Sequence, residues 1–590
     1  MAGLSLSQIN KQLQDMFKGS ERKFVFWYDA EAQFINDVDE LELGEVKLLK
    51  LEPDELFKTK ILLEREDTEN SYLIYAPFAR PDNCKNHLAD TILYSQTFTA
   101  DRVVAIMIDR GIPENMRDIV EDHLNFFGSK ERRDRFNALQ IDQMNRENLV
   151  LGMMCVLLGS KKVHFDEVCR ILLAQPDLTE SSDLIEFQKF NLKSSWWELC
   201  NRNFAYQKED PNLLELLISL FVTYAAQHIK TDIPKALRPY VLSKPGTVTT
   251  FLDQLKNNIH YQDDFNRLSD TVYQHILGED VFSQVEATTL LELDIFSFAD
   301  DKIISWIKER LLDQSLQSTI DNKKIPDICK TRENMHYGRK YRNYYHMLSH
   351  AYKVIEQNNY KPQEDIVEII KSYDEKDYLV DQHYRKFLFY LDQINNASEY
   401  SDLAQLLENI YIHKFLNPLD IAFNQSFDYK TLREYNKYKM QKNFYINHVY
   451  PVKSRLVVVI SDALRYEIAK ELAEDLGRAA KVADVAIEPI IGVLPSVTSV
   501  GMAALLPHKH IQIDSEYKVK VDNKSCASLL ERQAILQAKD PNAAAINYDE
   551  IKYYSQSELR DYFKAKSTVY IYHNQIDARG DDAKTEDEVF

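Results

Sequence analysis

The sequence predicts a multidomain protein of mixed class: a small N-terminal α/β domain over 1–110, a large all-helical middle over 111–450, and a C-terminal α/β core over 451–590. Three observations predict it. At about 100–200 residues per domain, 590 residues leave room for three or four hydrophobic cores. Through the middle, apolar residues recur at helical spacing, as in 213–221 and 400–410, with little strand-like alternation. At both ends, short apolar runs alternate with helical segments, the pattern of parallel sheets covered by helices.

Composition excludes several classes. Apolar residues at 45%, with 34 Tyr and 28 Phe, are far more than a disordered chain carries. The balance of 72 Lys+Arg against 92 Asp+Glu gives a charge of -20, so contact with a polyanion must be local. No two of the 14 glycines are separated by one residue, which removes the dinucleotide-binding fingerprint, and Gly159-Ser160-Lys161 lacks the spacing of a phosphate-binding loop. The six cysteines are scattered, without a C-x-x-C pair, as reduced core thiols are. The most apolar stretch, 149–159, is too short to cross a bilayer, so a cytoplasmic protein without membrane contact is expected.

In the N-terminal part, the runs 23–29, 46–51 and 71–77 read as strands of a three-layer parallel unit. Asp29 closes the first, where ligands gather in such sheets, but a turn-capping role is preferred and no function is assigned to it. In the middle, His346 and His350 stand one helical turn apart without the Glu of H-E-x-x-H, so a packed or solvated helix face is expected. The stretch 427–455 interleaves Lys430, Arg433, Lys437, Lys439, Lys442, Lys453 and Arg455 with tyrosines. It could track a phosphate backbone, making DNA a candidate partner, or be a solvated cationic helix face.

At 455–462 the pattern changes to a strand that reads as buried on both faces, followed by a helix over 465–476. Further strands are expected near 482–487, 511–513, 543–547 and 569–573, with helices at 525–538 and 557–566, a β-α order that implies a largely parallel sheet. Three polar clusters fall at strand ends. In the first, Asp462 could hold a divalent cation and Arg465 could meet a phosphate oxygen, although a strand-end Asp also serves as a cap. The second, 492–507, places Thr498 at or near a helix N-terminus, where an anion is favoured; Thr498 or Ser496 could equally be the cap alone. The third offers His573, Asp577, Asp581 and Asp582, a donor mix suited to zinc, manganese or magnesium, or an acidic surface turn.

The blocks 455–467, 494–507 and 572–581 together resemble the PglZ branch of the alkaline phosphatase superfamily, found in BREX phage-defence systems, and the domain order resembles it over the whole chain. The resemblance implies a metal-dependent phosphoric ester hydrolase, with Thr498 as nucleophile and Asp462 and Asp577 as metal ligands; Arg465, from its place at the helix start, is the expected phosphoryl contact. Where related proteins read Asp-x-x-Gly-His, this chain has Asp581, so either Asp581 or His573 completes that site. Divalent zinc, manganese or magnesium is the implied cofactor, and other BREX defence proteins are the implied partners. The superfamily's later Asp-His pair has no counterpart before Phe590, and 584–590 reads as the start of a helix, so a C-terminally truncated, inactive form is expected. Its apolar sheet surface should be uncovered near 569–571. The rival reading is a non-catalytic interaction component of a defence complex with a degenerate metal site.

Overall fold

The computed structural model describes residues 6–35, 37–428, 430, 432, 439–479, 484–585 and 589. The chain forms two compact units, 1–285 and 286–590.

The first unit opens with helix α1 (Leu6–Met16) and strand β1 (Phe24–Tyr28), whose aromatic and β-branched residues suit a pleated surface. With β2 (Lys47–Lys50), β3 (Tyr72–Ala76) and β4 (Gln96–Phe98) it makes a parallel sheet in the order β2-β3-β1-β4. Alternate residues feed the two faces: Val25, Trp27, Leu73 and Tyr75 pack with Ile9 and Leu13 of α1, while Phe26 and Ile74 pack with Leu56 and Leu63. That is the three-layer arrangement expected from 23–29, 46–51 and 71–77. Each large side chain buried there contributes about 1.5–3 kcal/mol. Helix α2 (Arg102–Arg110) starts where the Asp101 carboxylate accepts from Val104 N and ends on Gly111, at φ 63°. Helix α3 (Lys130–Asn137) is capped by Ser129, and α4 (Leu213–His228), apolar on nearly all sides, runs through the helical core.

The second unit begins with helices, among them α5 (Arg342–Ile355) and α6 (Tyr378–Asp392). A fully buried Arg332 is neutralised by Asp300, with Nε 2.9 Å and Nη2 2.6 Å from its carboxylate. His350 Nδ1 lies 3.0 Å from His383 Nδ1, and burial with neighbouring positive charge pulls the two imidazoles down to about 3 and about 4. His346 instead faces Glu333, so His346 and His350 belong to a packed helix face.

Strand β5 (Leu456–Ser461) is followed by α7 (Tyr466–Arg478), then α8 (Thr498–Ala504), β6 (Ile511–Ile513), β7 (Val519–Val521), β8 (Lys524–Ser525) and α9 (Leu529–Gln537). The last part holds β9 (Ala544–Asn547), α10 (Gln556–Lys564), β10 (Thr568–His573) and α11 (Gln575–Gly580). The parallel sheet has the order β9-β10-β5. The expected strand at 511–513 exists as β6, but it pairs antiparallel with β7, which pairs with β8, in a separate sheet. Of the strand expected at 482–487, residues 482 and 483 lie outside the described residues and 484–490 have no regular structure.

Two burial expectations need correction. β5 is not buried on both faces: Val458 packs with Tyr570 and Tyr572, but Val457 and Val459 are 41% and 60% exposed. An unbroken apolar run does not report which face finds a neighbour. Conversely, Val569 and Ile571 are covered, packed with Ile551, Leu559, Tyr562 and Phe563. The basic stretch 427–455 is not one continuous helix face either. Tyr429, Arg433, Tyr435, Lys437 and Tyr438 lie outside the described residues; Phe444 and Tyr445 pack on the core, and Arg455 donates to the carbonyls of Lys564 and Lys566.

Candidate active site

Parallel pairing sets Ser461 opposite His573, so β5 and β10 end side by side. The Asp462 N–H donates to the His573 carbonyl at 3.0 Å, and the Asp462 carboxylate accepts from Ala463 N at 3.1 Å. Ala463 has φ 58°, a left-handed conformation that costs a non-glycine residue about 1–2 kcal/mol and turns the chain sharply away from the strand. Arg465 then serves as the extended N-cap residue of α7.

Helix α7 is held firmly. Glu467 is 2% exposed and takes Arg385 Nε at 3.0 and 3.1 Å and Nη2 at 2.9 Å. Arg385 and Lys386 also reach Glu471, while Lys470 pairs with Asp374. The arrangement fixes the helix that leaves the Asp462 turn. Arg465 is exposed, and its charge is felt by Asp381, whose carboxyl burial raises while Tyr373, Tyr411 and Arg465 oppose the rise.

Asp577 lies in α11, and Asp581 follows one turn later, its N–H donating to the Asp577 carbonyl at 3.0 Å. The Asp577 carboxyl is pushed up by partial burial and then by the like charges of Asp462 and Asp581. Asp577 thus feels two other carboxylates, hard oxygen donors whose repulsion a divalent cation would relieve. Among the described residues, however, no three His, Cys, Asp or Glu side chains form a group that could hold a metal ion, so this set fits a cation in chemistry but supplies few ligands. His573 Nδ1 is 2.9 Å from Ser461 Oγ and the ring meets Tyr548 edge-on.

Thr498 is the first residue of α8 and is exposed. The N-cap is Val497, which makes no side-chain bond, so neither Thr498 nor Ser496 is the cap. The approach to α8 is braced by Gln441, whose Oε1 accepts from Val493 N and whose Nε2 donates to the Gly501 carbonyl, both at 3.2 Å. Backbone bonds between 439–441 and Ile491 complete the brace. Among the described residues no hydrogen bond joins Thr498 to Asp462, Asp577 or Asp581. Gln441 and Arg385 carry no sequence signal: each is one polar residue among several in a helical or irregular stretch.

Residues 444–590 match the family described as the BREX system PglZ alkaline phosphatase-like domain. The alkaline phosphatase-like protein PglZ of Bacillus cereus is 32% identical over all of this chain and 70% of its own length. The alkaline phosphatase-like protein BrxZ of Escherichia coli is 27% identical over 98% of this chain and 70% of its own length. No solved structure matches the chain significantly. With that identity extending through both compact units, the chain belongs to the PglZ family of alkaline phosphatase-like proteins.

Proposed function

We propose that this protein is a metal-dependent phosphoric ester hydrolase, a phosphodiesterase or a phosphatase, of a BREX-type phage-defence system. The observation that carries the reading is that the charge of Asp462, just after β5, is felt by Asp577 in the helix that follows the paired strand β10. Asp462 and Asp577 would hold a divalent zinc, manganese or magnesium ion together with Asp581 or His573, whose Nδ1 bond to Ser461 would orient the ring as in a ligating histidine. Such an ion, when bound, lowers the pKa of a nearby hydroxyl and neutralises charge on phosphoryl oxygens. Two or three hard ligands leave an ion mostly hydrated, so these residues alone bind it weakly.

The chain's own residues supply the rest. The exposed Thr498 hydroxyl attacks phosphorus and its proton leaves on the expelled alcohol; the threonine phosphoester that remains, a phosphothreonine from a monoester or a mixed diester from a diester, is cleaved by water, which restores the hydroxyl. Arg465, at the start of α7, donates to the phosphoryl oxygens. The partner class is other BREX proteins, following the system named for the matching domain family. The second reading, a non-catalytic interaction component, is favoured by the lack of a three-ligand group among the described residues.

Hydrolysis of bis(p-nitrophenyl) phosphate by the protein purified from its host, with Mn²⁺, Zn²⁺ or Mg²⁺, separates the two. The hydrolase reading expects turnover that chelation removes and that Asp462→Ala and Asp577→Ala each lower by at least about 100-fold, the scale of a metal site's contribution. No turnover, with no rise in melting temperature on adding any of the ions, leaves the interaction component.

A further inference from the structure

The parallel sheet of the first unit has a crevice at the carboxyl ends of its strands. Its volume is 650 Å³, within the about 300–1,000 Å³ of small-molecule sites. The loop after β1 forms one wall, and Arg102 and the turn into α3 form the others. That loop is preset: the Asp29 carboxylate accepts from Phe34 N at 2.7 Å and from the Tyr75 hydroxyl at 2.6 Å.

Arg102 is only 6% exposed and lines the crevice. Its Nη2 lies 3.0 Å from Asp37 Oδ2 but is not aligned for a hydrogen bond, and no described group supplies one. Asp37 is shared, because its other oxygen is 2.8 Å from Arg133 Nη2. One buried carboxylate therefore faces two buried guanidiniums, with Glu40 as far as 3.8 Å from Arg133. Burial, with Arg133 nearby, pulls the Arg102 guanidinium below its ordinary pKa against the attraction of Asp37 and Asp29. Arg132 lines the same crevice, fixed by the carbonyls of Phe126 and Asn125 at 2.7 and 2.9 Å. Ser129, the cap of α3, lines it too, so that helix begins at the crevice with its positive dipole end. Glu31 is the one carboxylate of the lining; it is exposed and takes the Gln33 amide at 2.6 Å.

We propose that this crevice binds a phosphate group, free or carried by a small molecule such as a nucleotide, against Arg102 and the first turn of α3. A guanidinium fork and a helix start are complementary to phosphate oxygens. The proposal is independent of the hydrolase reading, whose residues lie in the second unit.

Isothermal titration calorimetry of the full chain in EDTA, with inorganic phosphate and with adenosine 5′-monophosphate, tests it. Asn125→Asp sets a carboxylate on the lining without touching the Asp37 pairs and should weaken binding about tenfold. Arg102→Lys keeps the charge beside Asp37, loses the fork, and should weaken it comparably. Asp462→Ala should leave it unchanged. Binding of both ligands means that the phosphate group suffices; binding of the nucleotide alone means that its organic part contributes. The proposal falls if neither binds at millimolar concentration, if Asn125→Asp has no effect on a folded variant, or if Asp462→Ala abolishes the heat.

Discussion

Asp29 and Asp462 each close an apolar strand at the carboxyl edge of a parallel sheet, yet their surroundings give them different work. The Asp29 carboxylate is buried, with Phe34 N and the Tyr75 hydroxyl as donors, so it is spent on holding a turn. Asp462 is half-buried, makes a local bond to Ala463 N, and its charge is felt by Asp577. Nothing in the residue type or position separates the two; the difference lies in donors brought from distant chain. The same reasoning bears on Thr498, which is exposed and does not cap α8. Thr498→Ala should therefore change stability by no more than about 0.5 kcal/mol, measured by urea denaturation, while hydrolysis falls below detection. Ser496→Ala, equally exposed, should keep its turnover. The opposite pattern of activities would assign the nucleophile to Ser496.

Helix α7 shows how an element transmits order to a site. Its Glu467 is buried against Arg385 of α6, so removing the arginine leaves a desolvated carboxylate without its partner. Arg385→Ala should lower the unfolding free energy by about 3–5 kcal/mol, far beyond an exposed ion pair, with the loss read in a lower urea midpoint. A loss under 1 kcal/mol would mean that α7 is held by its other contacts. The elements themselves were legible to different degrees. β1, β2 and β3 follow the apolar runs, and helical periodicity marks α4 to α7. β4 is three residues long with two of them exposed, too short to leave a pattern, and β6 to β8 are short and partly polar, so their antiparallel pairing is invisible locally. The site blocks stood out by their residues, but the arms that brace them, Arg385 and Gln441, act through long-range contacts that no local pattern encodes.

At the scale of the whole molecule, the charge of -20 sets a repulsive background for any polyanion, and approach depends on where the cations face. The stretch 427–455 is one local concentration of cations, but its described members are partly committed. Arg455 serves carbonyls at the end of α10, Lys439 lies 3.9 Å from Glu488, and Phe444 and Tyr445 face the core rather than a base. Lys430, Lys442 and Lys453 are described cations of the stretch that can be tested together, Lys453 lying over the Tyr450 ring. If they tracked a phosphate backbone, reversing all three would flatten the log-log salt dependence of binding by about 2–3 units, at about 0.7–0.9 per contact. The committed neighbours argue for less: the triple variant Lys430→Glu, Lys442→Glu, Lys453→Glu should change the slope by under about one unit. Fluorescence anisotropy of labelled single-stranded DNA across a salt series measures it. A drop of two units or more would show that the stretch reads the backbone as a continuous surface and that a DNA substrate is held along it as well as at the strand ends.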